Sequence, residues 1–212
     1  MPPTDPKAAL HGLPDALRIP IAAKSRVAIE QFVGPVLRER GHVRGEVGAY
    51  FVDSTDRPDL GGVGLWNHPD AGVYAERLYP DRQVWVHVDY SRYRDAYISF
   101  GMPKIPDGHV LDHIQNRKAI RLRDYSHPFI RLCPVTYRVN TSGGLNSGAE
   151  GMERAHVQSA KEGNKDAIAA IQRANAQSVI YADPLDITKM LNIVPGTFTL
   201  DGVRDILPLL YS

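Results

Sequence analysis

Between Gly108 and Gly144 the chain reads GHVLDHIQNRKAIRLRDYSHPFIRLCPVTYRVNTSGG. His109, Asp112, His113, Asn116 and Arg117 crowd its first third, and Asn140 follows the apolar run FIRLCPV. Three roles suit such residues. In a polar hairpin they only face water. In a zinc site, His109 and His113 at i and i+4 would bind from one helix face. Against that, Pro106 and Gly108 stand just before them, and Val110 holds the place where a metalloprotease helix needs Glu. The third role is phosphodiester hydrolysis. A phosphodiester is anionic and repels hydroxide, so cutting it takes a base for water and a cation for the crowded charge. A neutral His suits the base, because its pKa lies near working pH. A hard cation such as Mg²⁺ prefers oxygen ligands and often takes only one or two carboxylates. Asp112 and the amide oxygen of Asn140 offer two oxygens. Arg117 carries a planar fork that matches two phosphate oxygens.

The elements that must position these residues are read from periodicity and punctuation. Residues 1–24 carry five prolines, Pro2 to Pro20, and read as an irregular N-terminal arm. SRVAIEQFVGPVLRERG places Val27, Ile29, Phe32, Val33, Val36 and Leu37 near one face and predicts a helix from a Ser25 cap to Gly41, kinked at Gly34-Pro35. EVGAYFVDS and RQVWVHVDY are β-branched and aromatic and read as strands, with loops between them. SRYRDAYISFG is a short helix ending at Gly101. HVLDHIQ and PFIRLCPV are strands, and TYRVN starts a turn or short helix that Gly143-Gly144 breaks. Asn164 caps a helix whose Ile168, Ile171, Ala174 and Val179 lie near one face. Another short helix runs from Pro184 or Leu185 to Leu191, and Thr199 caps a last one. The expectation is an α+β fold, with a strand-rich first half and a helical C-terminal third. Residues 25–212 form a single domain.

Composition narrows the function classes. A chain of 212 residues, 43% hydrophobic, is large enough to bury a core. A net charge of +1 is too low for nucleic-acid binding by bulk charge. The stretch from Lys104 to Arg138 is nevertheless basic, and Arg121, Arg123, Arg131 and Arg138 are its candidate nucleic-acid contacts. Cys133 is the single cysteine, which excludes an internal disulfide; in an apolar run it reads as a buried structural thiol. The N-terminus lacks the pattern of a signal peptide, and no apolar run is long enough to span a membrane. The expected location is cytoplasmic, or outside by a route without a cleaved signal. His68, His87 and His127 lack partner patterns. Tyr90, Tyr93 and Tyr97, at helical spacing, read as packing residues.

LDHIQNR followed by IRLCPVTYRVN resembles the HNH, or ββα-metal (His-Me finger), endonucleases. The likeness covers Gly108 to Glu153. It implies a ββα-metal finger near residues 108–155 and a metal-dependent endonuclease acting on DNA in preference to RNA. By this resemblance His113 is the general base, and Asp112 and Asn140 hold the cation. Glu150 is a further metal ligand, with Asn146 and Glu153 as alternatives; His109 and Asn116 are additional site candidates. Mg²⁺ is the implied cofactor, with Mn²⁺ or Zn²⁺ as alternatives, and Arg117 steadies the phosphate. In an ideal strand Asp112 and His113 point to opposite faces, so the strand must end or bulge there. The rival reading is a non-catalytic module that binds nucleic acid or protein on a degenerate finger. The first hundred residues are then a surface for nucleic acid or a protein partner.

Overall fold

The computed structural model describes residues 19–55, 77–142, 158–182, 184–190 and 192. In chain order the elements are β1 (Pro20–Ala23), α1 (Arg26–Phe32), β2 (Val36–Val43), β3 (Glu46–Asp53), β4 (Arg82–His87), α2 (Tyr93–Ser99) and β5 (His109–His113). They continue with α3 (Arg117–Leu122), β6 (Phe129–Thr136), α4 (Tyr137–Ser142), α5 (Lys165–Ala176), β7 (Val179–Tyr181) and α6 (Pro184–Met190). The mixed α and β content matches the expected class. All strands join one antiparallel sheet in the order β2-β3-β4-β6-β1-β7, with β5 paired to β6 off that path.

Alternation along β3 explains why its middle is buried at consecutive positions. Ala49 and Phe51 face one core with Val84, Val86, Tyr97 and Phe100, under α2. Tyr50 and Val52 face the other with Trp85, Phe129 and Ile29, under α1. Successive side chains on a strand point to opposite faces, so both sides of the sheet are covered by a helix.

Four expectations are corrected here. The predicted helix from Ser25 stops at Phe32. Ser25 caps it as expected, its Oγ accepting from Ala28 N at 3.3 Å. Gly34-Pro35 ends the helix rather than kinking it, because a proline ring disfavours helical backbone before it. Val36–Val43 then pairs with β3 as a hairpin whose two turn residues, Arg44 (φ 53) and Gly45 (φ 82), both have positive φ, the geometry that fits strand twist. The N-terminal arm is irregular in sequence only up to Ile19: Pro20–Ala23 is a fully buried strand between β6 and β7. Proline is tolerated as the first residue of a strand. Residues 1–18 lie outside the described residues. A helix, α3, stands where a loop joins the two strands in the expected finger; Asn116 caps it, its Oδ1 accepting from Lys118 N at 2.8 Å and Ala119 N at 3.1 Å. The last third contributes a strand as well as helices, for Val179 lies in β7 rather than on the face of α5. The helices expected near Ser147 and after Thr199 lie outside the described residues, as do His68 and Trp66. No helix among the described residues is long and apolar enough to cross a membrane.

Two packing details are open to direct test. The Tyr90 ring lies over Gly41 and Gly48 of the β2-β3 hairpin; a Cβ at Gly48 would sit 2.4 Å from it. Gly48→Ala should cost about 1–3 kcal/mol, and most of that cost should vanish in a Tyr90→Leu background; urea midpoints of the four proteins check this. His127 is fully buried, with Nε2 3.0 Å from Gln177 O and Nδ1 3.1 Å from Ser126 Oγ. One tautomer satisfies both: Nε2–H donates to the carbonyl and Nδ1 accepts from the hydroxyl. Burial pushes the His127 pKa down to about 4. The unfolded chain therefore takes up a proton near pH 6.5 that the folded chain takes up only near 4. Stability is whole above pH 6.5 and falls through that window by up to roughly 3 kcal/mol. A His127→Asn variant should show a flatter decline in stability between pH 7 and 4.5 than the parent.

Candidate functional site

β5 and β6 pair antiparallel, with Asp112 opposite Cys133 and His113 opposite Leu132. This is the expected hairpin, and α4 follows it directly. Residues 109–113 are extended, so the helical i, i+4 zinc geometry for His109 and His113 does not form. His109 sits at the opposite end of β5, its Nδ1 3.2 Å from Asp107 O.

The Asp-His pair is divided by strand alternation. His113 is buried, 5% exposed, and the edge of its ring meets Tyr93 of α2 with centroids 4.6 Å apart. Its Nε2 is buried without a hydrogen-bond partner. Burial lowers its pKa to about 3, helped by the charges of Arg117, Lys189, Arg121 and Arg94. The ring is therefore neutral at any ordinary pH. Asp112 meets a different element: its Oδ2 lies 2.5 Å from the Lys189 ammonium of α6. Lys189 Nζ also approaches His113 O at 3.4 Å.

Asp112, His113, Gln115, Asn116, Arg117, Lys118 and Arg121 line a depression of about 320 Å³. Its cationic wall comes from α3, which carries Arg117, Lys118 and Arg121 within little more than one turn. Two of these are tied down at the end of β4. Arg117 Nε donates to Val88 O at 2.8 Å, and Arg121 Nε to Asp89 Oδ1 at 2.8 Å. Asp89 is held in turn by Arg44 Nε at 2.6 Å, and Arg44 lies over the Tyr125 ring. Burial alone would raise the Asp89 pKa, but the bond from Arg121 and the charges of Arg121 and Arg44 hold it below the usual carboxylate range. Lys118 is exposed at the rim.

The remaining sequence candidates are scattered. Asn140 is exposed on α4, which begins beside the first residues of β5, where Tyr137 N donates to Gly108 O at 2.9 Å. Among the described residues no hydrogen bond ties Asn140 to Asp112 or His113. Asn116 spends its amide oxygen on capping α3 and is 8% exposed. Arg138 is exposed on α4, and Arg123 is half-buried at the end of α3. Arg131 does not face a nucleic acid: it is 2% exposed, and its Nη1 and Nη2 donate to Leu78 O and Arg77 O. Glu150, Asn146 and Glu153 lie outside the described residues. Among the described residues no three His, Cys, Asp or Glu side chains gather as a metal group. At the depression the Asp112 carboxylate is of a type that suits a hard cation, and its buried Oδ2 has an ammonium as its partner; Asn140 is not among the lining residues.

Sequence reasoning missed two residues that shape the site. Tyr93, read as a packing residue, does pack, and its partner is His113. Asp89 and Lys189 gave no local signal, because their partners lie far away in the chain. In comparisons with protein-family models, with curated proteins and with solved structures, nothing matches this chain.

The burial of Arg131 gives a clear expectation. Arg131→Met should lower stability by about 2–4 kcal/mol, because it removes charge-assisted bonds to two carbonyls. Urea midpoints of the two proteins check this.

Proposed function

We propose that this protein is a phosphodiesterase acting on nucleic acid, DNA in preference to RNA, with the depression beneath α3 as the phosphate cleft. One observation carries the reading: a buried neutral histidine, with Nε2 unused by the protein, lies in the wall of a cleft whose other wall is three cations. A buried polar nitrogen without a partner is costly and is the kind of exception that a ligand explains. Arg117 and Arg121 are fixed by Val88 O and Asp89, so their charge is already in place when an anion arrives. Lys118, exposed at the rim, would draw the strand in. His113, held by Tyr93, would accept a proton from water that attacks phosphorus once a bound phosphate, by offsetting the neighbouring cations, has raised its pKa from about 3 towards working pH. The likeness of LDHIQNR…N to the metal-finger endonucleases supports the same assignment.

A divalent cation, Mg²⁺ for preference, would take Asp112 as its carboxylate ligand, with Asn140 as the amide ligand that the resemblance to the metal-finger endonucleases implies. When bound, it would supply charge stabilisation at the phosphate oxygens. A hard cation takes such oxygens directly, and its remaining positions can be filled by water and substrate.

The second reading is a module that binds nucleic acid without cutting it. What favours it is that His113 is 5% exposed and Asp112 is already neutralised by Lys189. Supercoiled plasmid, single-stranded DNA and RNA, each with Mg²⁺, Mn²⁺ or chelator, decide between the two. On the enzyme reading, His113→Ala stays folded and loses about 10²–10⁴-fold of the nicking rate. Arg117→Ala costs rate with little change in metal requirement. Lys118→Ala weakens DNA binding and makes its salt dependence shallower by about one phosphate contact. A parent that binds but cuts nothing under any metal establishes the module instead.

A further inference from the structure

We infer that the cleft is shaped for the end of a nucleic-acid strand: Arg117, Lys118 and His113 hold a terminal phosphate monoester directly, with no metal ion between, and more tightly than an internal phosphodiester. The inference rests on the phosphate-cleft reading given above and names the kind of phosphate that the cleft takes. Charge decides the matter. Four cations, Arg117, Lys118, Arg121 and Lys189, line the cleft against one carboxylate, Asp112. Lys189 is engaged by Asp112, and Arg121 by Asp89, which Arg44 also holds. Among the described residues no carboxylate lies within salt-bridge reach of Arg117 or Lys118. Two positive charges, neighbours in sequence, therefore stand uncompensated at the cleft. An internal phosphodiester carries one negative charge. A terminal monoester carries close to two at pH 7, and so neutralises the pair.

The polar atoms agree with the charges. Arg117 is fixed through Nε to Val88 O at 2.8 Å, and among the described residues the two terminal nitrogens of its fork make no hydrogen bond. His113 lines the same cleft at 5% exposed, and its buried Nε2 has no partner. In the tautomer that carries its proton on Nε2, the ring donates to an oxyanion. A diester has two unesterified oxygens, and chain leads away from both of its esters. A terminal phosphate has three such oxygens and a single ester leading out. One oxygen can then go down to the imidazole while the other two meet the Arg117 fork, whose planar geometry suits such a pair. Lys118 closes the rim. Hydrolysis of a diester leaves such an end, so the same cleft would hold the cut product more firmly than the intact strand.

Fluorescence anisotropy with short single-stranded DNA, in chelator throughout, tests this with the full chain. One internally labelled sequence is used with a 5′-phosphate, with a 3′-phosphate, or with hydroxyls at both ends. The parent should bind one of the phosphorylated forms about tenfold tighter or more than the hydroxyl form, as one added charge-assisted hydrogen bond would give. His113→Phe keeps a ring beside Tyr93 and removes Nε2; it and Arg117→Ala should each lose most of that preference. Lys118→Ala, at an exposed position where the fold is safe, should lose part of it. Equal affinity for all three forms overturns the inference, and so does a preference that needs Mg²⁺ or that survives in all three variants. Inorganic phosphate that binds as tightly as the phosphorylated strand also overturns it, since the site is then one for the free ion. The outcome is separable from that of the nuclease reading. A preference for phosphorylated ends in a protein that never nicks plasmid upholds the end site and sinks the enzyme; a parent that cuts DNA and binds all three forms alike does the reverse.

Discussion

Ile130 is paired on both sides, with Ala22 of β1 and with Val86 of β4. Everything else hangs from that position. The first half of β6 is a central strand joining the β2-β3-β4 hairpin system to β1 and β7. The second half, past Arg131, is the partner of β5. One strand thus serves two neighbourhoods, and the constraint on its sequence is severe. Phe129 must fill the core under α1, Leu132 the core under α2, and Ile130 a third cluster with Val88 and Ile120. The buried Arg131 sits at the change-over, where it holds the chain near Leu78 against the sheet. The candidate site inherits this rigidity: Asp112 and His113 are placed by hydrogen bonding to the same strand that organises the core.

Electrostatics at the site follow from that placement. A strand alternates its side chains, so the Asp-His pair is split between α2 and α6 by geometry alone. His113 goes to an aromatic wall, where burial and four neighbouring cations keep it neutral. Asp112 goes to the lysine. The cationic helix α3 is secured from below by Asp89, a carboxylate that also anchors the tight β2-β3 turn through Arg44. A turn residue with positive φ that is not glycine is uncommon. Here the Arg44 side chain has partners in both Asp89 and the Tyr125 ring, which offset the strain of its backbone.

The legible parts of the sequence were those governed by short periods. Strands β3 and β4 announced themselves by β-branched and aromatic residues, and β5 and β6 by the runs around the Asp-His pair. The caps at Ser25 and Asn164 were readable because a side-chain oxygen and the helix start are neighbours in sequence. What escaped was set by distant partners. IPIAA is too short to show a period, and only the gap between β6 and β7 makes it a strand. VLRERGHV continued a plausible helical face until Gly34-Pro35 ended it, and pairing with β3 decided its state. Asn116 looked like a site residue and lines the depression, but its amide oxygen serves as a cap; Arg131 looked like a surface cation and is core. Those two confusions have one cause, since a polar side chain's type says what it can bond and not which backbone group will be there.

The position of β1 has a consequence for how the molecule is made. Its neighbours are Phe129 and Ile130 on one side and Val179 to Tyr181 on the other. Among the described residues the first strand to leave the ribosome is thus a central strand whose two partners are both synthesised more than a hundred residues after it. Until β6 emerges, β1 has no edge to join, and until β7 emerges one of its own edges stays open. Pairings so distant in sequence form slowly, and an open apolar edge invites other chains. Hairpin β2-β3 and its partner β4 can close long before, as a local unit. Vectorial synthesis therefore delivers the β5-β6 pair onto a half-built sheet, and completion of the candidate site waits on the C-terminal third, which also brings Lys189.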